Sequence, residues 1–265
     1  MGDDVLEIGI TGCSDRLELI KRLGFDFVEP SVYNVSKMSE DEFNLFKKEL
    51  TMAGLPARAF CLFFPSDIKT TGPEVSQQKI VDYLNHSLNR CKQLGGQTIV
   101  YGSGGSRRVP EGYDYDTAWE QLVSFFKTAG EIARNYGITI VIEPLFQKNC
   151  NIINKVSEGL SMCRRVDHPN IRLLADNFHM MKENEDAEII LDAGSEYLHH
   201  VHLRDIELGF IGEKDREYFD RFFGMLNTIK YKGRLSLEVD VKPSDPKEFE
   251  RQALECIEFI KSYFK

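Results

Sequence analysis

Residues 138–144 read ITIVIEP, and the run from Ile138 to Glu143 carries the first clue to the fold. Apolar, β-branched residues of strand length that stop at a carboxylate and a proline describe a buried strand whose last side chain faces something polar. The form recurs downstream. RLLADNFH ends its strand at Asp176, LHHVHLRD carries His202, and RLSLEVD ends at Glu238. Working outward from this series, strands are expected over Leu6–Ile10, Phe25–Glu29, Ala57–Phe63, Gln97–Tyr101, Ile138–Glu143, Ile171–Asp176, Leu198–Leu203 and Arg234–Glu238.

Amphipathic segments fill the intervals. Ile80, Leu84, Leu88, Cys91 and Leu94 recur at helical spacing, as do Phe249, Ala253, Ile257, Ile260 and Phe264, with a start signal at Asp245–Pro246. Strand and helix alternating with a period of roughly 30 residues imply parallel strands joined by crossover helices. Eight such units close into a (β/α)8 barrel, an α/β fold expected to occupy residues 1–265 as a single domain. A doubly wound open sheet is the competing architecture. It would normally show a glycine-rich phosphate turn after the first strand, and Gly9–Thr11–Gly12 lacks that fingerprint.

Composition narrows the setting. The 265 residues are 42% hydrophobic and 28% charged, as in ordinary soluble proteins, and no apolar run approaches the ~18 residues that span a bilayer. Cys13, Cys61, Cys91, Cys150, Cys163 and Cys256 are far apart, without a C-x-x-C pair, and read as reduced cysteines. The N-terminus Met-Gly-Asp-Asp has neither a basic nor an apolar leader region, so a cytoplasmic protein is expected. A net charge of −9 argues against nucleic acid as the main partner, because phosphate binding needs a basic footprint.

In a (β/α)8 barrel the C-terminal strand ends carry the site. Alternate residues point inward. If Glu143 points in, so do Val141 and Thr139, while Ile140 and Ile142 face the helices; Glu238 brings Ser236 with it and leaves Leu235 and Leu237 outside; His202 leaves Val201 outside. The apolar partner falls on the helix side each time. Three carboxylates gathered at one end of a barrel would repel and take up protons unless a cation neutralised them. Carboxylates with one imidazole suit Mn2+, Mg2+, Co2+ or Fe2+, with Zn2+ also allowed, and the lack of a thiolate argues against a structural zinc. Glu143, Asp176, His202 and Glu238 are therefore the expected ligands of one divalent ion. Taken singly, a carboxylate at a strand end is more often a helix cap, and His199 and His200 read as satisfied core histidines.

The segments IEP at Glu143, ADNFHM (175–180), VHLRD (201–205) and LSLEVD (235–240) resemble the sugar phosphate isomerase/epimerase family. This is the xylose isomerase-like TIM barrel superfamily, with ketose 3-epimerases, hydroxypyruvate isomerases and endonuclease IV among its members. VYGSGGSRRVPEGYD (100–114) and FFPSDIKTTGPE (63–74) are similar to loops of such proteins, and the likeness spans the chain. The resemblance implies an isomerase of carbohydrate metabolism. One metal, often Mn2+, would be held by Glu143, Asp176, His202 and Glu238, with Glu143 and Glu238 also serving as the acid/base pair. A proton is taken from the carbon beside a carbonyl, giving an enediolate whose charge a metal can stabilise. His179 would hydrogen-bond a substrate oxygen, although in related nuclease sites its counterpart is a ligand. The epimerases use an arginine a few residues after the strand-seven histidine; Leu208 stands near that position here and Arg204 comes earlier. Arg204 and Arg107 are the expected further substrate contacts. Homo-oligomers are implied by the resemblance as well.

Three other functions compete. An endonuclease IV-like repair nuclease needs three zinc ions and histidines at earlier strand ends, where this chain has Leu62–Phe63–Phe64 and Tyr101–Gly102. A non-catalytic sugar-binding barrel would share the fold. A hydroxypyruvate isomerase would use the same glutamates on a small keto acid, with Arg107, Arg108 or Arg204 neutralising its carboxylate. Glu29 is inward by parity with Phe27 and fits either a substrate contact or a structural role. The glycines of Gly102–Gly105 allow either a ligand's approach or a turn.

Overall fold

The computed structural model of the chain describes residues 6–12, 15–239 and 246–264; Cys13, Asp245 and the end of the LSLEVD run at Asp240 lie outside them. The barrel strands are β1 (Ile8–Thr11), β2 (Phe27–Glu29), β3 (Ala59–Phe60), β4 (Thr98–Tyr101), β5 (Thr139–Ile142), β6 (Ile171–Asp176), β7 (Leu198–Leu203) and β8 (Arg234–Leu237). All pair in parallel, in the order β2-β1-β8-β7-β6-β5-β4-β3. Bridges Val28↔Ala57 and Ser31↔Cys61 bring the two ends of that order together, so the sheet curls into a near-closed (β/α)8 barrel.

Between the strands run α1 (Leu17–Arg22), α2 (Val32–Lys37), α3 (Glu40–Ala53), α4 (Gln77–Gln93), α5 (Gly104–Arg107), α6 (Tyr115–Tyr136), α7 (Val156–Val166), α8 (Asn177–Lys182), α9 (Ile189–Tyr197), α10 (Arg216–Thr228) and α11 (Pro246–Lys261). Ile80, Leu84, Leu88 and Cys91 of α4 are fully buried. Each of the leucines contributes about 2 kcal/mol by leaving water, several times any propensity term, so packing on the sheet holds this helix. In α11 the stripe Phe249, Ala253, Ile257 and Ile260 is buried as its spacing predicts; Phe264 packs on the core from beyond the helix end. No described helix is long and apolar enough to cross a membrane.

Strand parity divides the core in two. Ile140, Ile142, Leu173, Ala175, Val201, Leu203, Leu235 and Leu237 join the layer between sheet and helices. Cys61, Val100, Val141 and Leu174 form a separate small cluster inside the barrel. The ring of Phe27 fills the interior opposite β1, where a Cβ on Gly9 would lie 2.3 Å from it. The five described cysteines are free and buried.

The expected strand over Ala57–Phe63 is shorter. Leu62 adopts a left-handed conformation (φ 50°) and is exposed, which takes the chain out of the ladder. Glu143 and Glu238 each lie one residue beyond their strands, yet Glu143 N still donates to Tyr101 O (3.2 Å) and Glu238 N to Leu203 O (3.0 Å). The ladder thus fixes the backbone from which both carboxylates project.

Candidate metal centre

Four side chains from β5 to β8 converge as their parity predicts. Glu143, Asp176, His202 and Glu238 each offer a donor atom, and these atoms lie within 4.8 Å of one another. His202 and Asp176 are buried, Glu143 is 6% exposed, and the Glu238 side chain, at 27%, is the open one. His202 Nδ1 lies 3.3 Å from Glu143 Oε1 and 3.6 Å from Glu238 Oε2. Neither contact is aligned as a hydrogen bond, and both His202 Nδ1 and Glu238 Oε2 are buried without a hydrogen-bond partner. Hard oxygen donors and one imidazole gathered within this distance fit a divalent cation.

Asp176 directs its two oxygens differently. Its Oδ1 caps α8, accepting from Phe178 N (2.7 Å) and His179 N (3.2 Å), while Oδ2 faces the centre. The helix cap takes one oxygen and leaves the other facing the donors that could hold an ion.

Arg204 follows β7 and shares the inward side with His200 and His202. Its Nη2 lies 3.2 Å from Asp176 Oδ2 and 3.1 Å from Glu238 Oε2, and its guanidinium lies over the Phe178 ring at 4.4 Å. Burial works against its charge, but Asp176, Glu238 and Glu143 outweigh it and push the guanidinium pKa up. Arg204 thus reaches the site despite coming early in the sequence. Leu208 sits in a turn whose neighbours Glu207 and Gly209 donate to Asp205 Oδ1.

His179 is buried beside this group, stacked on Phe146 at 5.4 Å, and its Nδ1 accepts from Phe146 N (3.4 Å). Its Nε2 lies 3.5 Å from the donor Arg204 Nη2 and 3.9 Å from Asp176 Oδ2. His179 stands next to the four-donor group and not within it.

Arg107 corrects the sequence reading. It is fully buried, donating to Tyr101 O (2.9 Å), Glu143 O (2.7 Å) and Ile153 O (3.3 Å). Both Nη groups are spent on backbone carbonyls and the side chain is fully buried, so it braces the end of β5 and offers no surface to a substrate. The exposed arginine of the pair is Arg108, which donates to Asn149 O (2.8 Å).

Two further features concern residues whose roles the sequence leaves open. Glu29 is fully buried at the end of β2, with Oε2 at 2.9 Å from His200 Nε2 and Oε1 at 3.0 Å from His202 Nε2. Burial raises its pKa, but the two imidazoles prevail and hold it well below the usual carboxylate range. Burial likewise depresses His202, and Glu29, Glu143 and Glu238 together overcome it and raise its pKa well above the ordinary histidine value. In His200 burial wins, and the pKa falls. The signal was present in HHVH, whose two-residue spacing puts His200 and His202 on one side of β7. His199, on the other side, is only partly buried, with its pKa lowered to about 4 by burial.

The second feature is Gly102. A Cβ there would come within 1.7 Å of Glu143 Oε2, so the glycine leaves the space that the carboxylate fills. Gly102→Ala should stay folded, because the displaced atoms end a flexible side chain, yet bind Mn2+ at least about tenfold more weakly. Titration of Mn2+ into the variant, with circular dichroism as the control for folding, checks this; unchanged affinity would show that the gap does not seat Glu143.

The sequence profile described as "Xylose isomerase-like TIM barrel" matches residues 17–263. A ketose 3-epimerase of Arthrobacter globiformis is 30% identical over 235 residues, covering 86% of this chain and 77% of that protein. A probable ketose 3-epimerase of Synechocystis is 25% identical over 224 residues, covering 82% and 75%. Among solved structures, the D-psicose 3-epimerase of Clostridium cellulolyticum H10, crystallised with D-tagatose, superposes with a TM-score of 0.86 at 20% identity, covering 98% of this chain and all of the other (100%).

Proposed function

This chain belongs to the xylose isomerase-like TIM barrel family, and from that premise we propose that it is a divalent-metal-dependent epimerase of ketose sugars. The observation that carries the reading is the convergence of Glu143 and Glu238 on His202 Nδ1, with Asp176 completing a four-donor group. Those four residues would hold one ion, Mn2+ being the first choice, and a bound ion would supply positive charge against a developing oxyanion.

The remaining chemistry belongs to the protein's own side chains. Glu143 and Glu238 project from β5 and β8, three strands apart in the sheet order, and so reach a sugar from different directions. One takes the proton from the carbon beside the carbonyl, and the other returns a proton to the opposite side, which inverts that carbon. His179, held at Nδ1 by Phe146 N–H, presents Nε2 beside Arg204 and hydrogen-bonds a substrate oxygen. Arg204 adds a fixed positive charge beside the same centre. That charge also supports a second reading, in which the substrate is a small keto acid such as hydroxypyruvate.

The test is incubation of the Mn2+-supplemented protein with ketoses and with hydroxypyruvate in D2O, read by NMR. A new ketose epimer carrying one deuterium at the inverted carbon is expected. Turnover of hydroxypyruvate alone would favour the second reading, and no exchange into any of them would sink both.

A further inference from the structure

Resting on the metal-centre reading, we infer that Glu29 is a positioning residue that fixes which nitrogen of His202 is offered to the metal. Glu29 and His202 sit on strands that are not neighbours, with β1 and β8 between them, and their side chains meet inside the barrel. The carboxylate forks: Oε1 lies 3.0 Å from His202 Nε2 and Oε2 2.9 Å from His200 Nε2. A carboxylate only accepts hydrogen bonds, so each of these nitrogens carries its hydrogen. His202 therefore keeps Nε2–H towards Glu29 and turns Nδ1 towards Glu143 and Glu238, 3.3 and 3.6 Å away.

The alternative tautomer shows why this matters. A hydrogen on Nδ1 alone would point at Glu143 and Glu238, so the imidazole would occupy the carboxylates it should join in binding an ion. With Glu29 in place that tautomer leaves a buried carboxylate oxygen facing a bare ring nitrogen, which costs the desolvation of both groups. A carboxylate behind a ligating histidine is a known means of setting ring orientation and basicity.

His200 steadies the fork from the other side. Its ring meets that of His202 edge to face at 5.1 Å, and Ser236 Oγ lies 3.3 Å from its Nε2. Glu29, His200 and His202 also form a three-donor group of their own. Here both carboxylate oxygens already hold an N–H, all three residues are at 0% exposure, and an ion would have to strip both hydrogens. Hydrogen bonding accounts for that group.

The experiment is calorimetric titration of Mn2+ into wild type and Glu29→Gln, with circular dichroism on both. Histidine ring 15N spectra are recorded on Zn2+-loaded wild type. Glutamine keeps the size of the side chain but sets an NH2 against one imidazole N–H. We expect one ion per wild-type chain, affinity reduced about 10–100-fold in the folded variant, and a His202 ring protonated on Nε2 with Nδ1 on the metal. Equal affinity in a folded Glu29→Gln, a ring protonated on Nδ1, or two ions per chain would overturn the role of Glu29. The ring spectrum decides the matter on wild type alone should the variant fail to fold. A wild type that binds neither ion overturns the metal centre itself, a result distinct from equal affinities.

Discussion

Glu238→Gln, assayed at saturating Mn2+, is expected to fold normally and to lose about 10²–10⁴-fold in kcat. The fold is spared because the side chain is partly open, while the strand is held by the backbone bond from Glu238 N to Leu203 O. Chemistry is not spared. The amide has the shape of the carboxylate but no basicity, and it removes one of the two anions beside Arg204, leaving Asp176 at 3.2 Å. The more telling readout is isotopic. If Glu143 works from its own side, the variant should still exchange deuterium into one epimer of the substrate pair while forming almost none of the other. Exchange without inversion would separate the two glutamates by role. Wild-type turnover in Glu238→Gln would remove it from the mechanism, and loss of exchange together with inversion in both directions would point to a failure of binding.

The ends of β5 to β8 were readable because inward and outward residues alternate along a strand, and the apolar partners Ile142, Val201 and Leu237 fix the phase. The same rule set Glu29, His200 and His202 inside the barrel, but alternation says nothing about which inward residues of separated strands touch. The fork from Glu29 to both histidines depends on ring closure, a property of the whole sheet. Arg107 illustrates the opposite failure. An arginine in a glycine-rich loop reads as a substrate contact, and only the fold brings the carbonyls of Tyr101, Glu143 and Ile153 around one guanidinium. β3 came out short for a local reason, the left-handed Leu62, which an apolar run does not advertise. Gly102 is similar: its importance lies in the Cβ it lacks, and the atom that would clash belongs to the next strand.

Metal loading should have the largest effect on stability. Elemental analysis of protein purified with Mn2+ is expected to give one divalent ion per chain, and chelation should abolish activity. The reason is electrostatic. Glu143, Asp176 and Glu238 bring three negative charges within one small, largely buried group, and Arg204 and His202 only partly offset them. A divalent ion relieves that repulsion in the folded chain and finds no such group in the unfolded one, so binding stabilises the fold by mass action. At a thousandfold excess over Kd this amounts to about 4 kcal/mol. For a chain of this size each kcal/mol moves Tm by ~2–3 °C, so a rise of roughly 10 °C is expected between the chelated and Mn2+-loaded protein. Asp176→Asn should lose most of that rise, because Oδ1 can still cap α8 while the site loses a charge. About three zinc ions per chain would revive the nuclease reading. No ion and no shift in Tm, even with Mn2+ supplied, would leave a barrel that binds a sugar without transforming it.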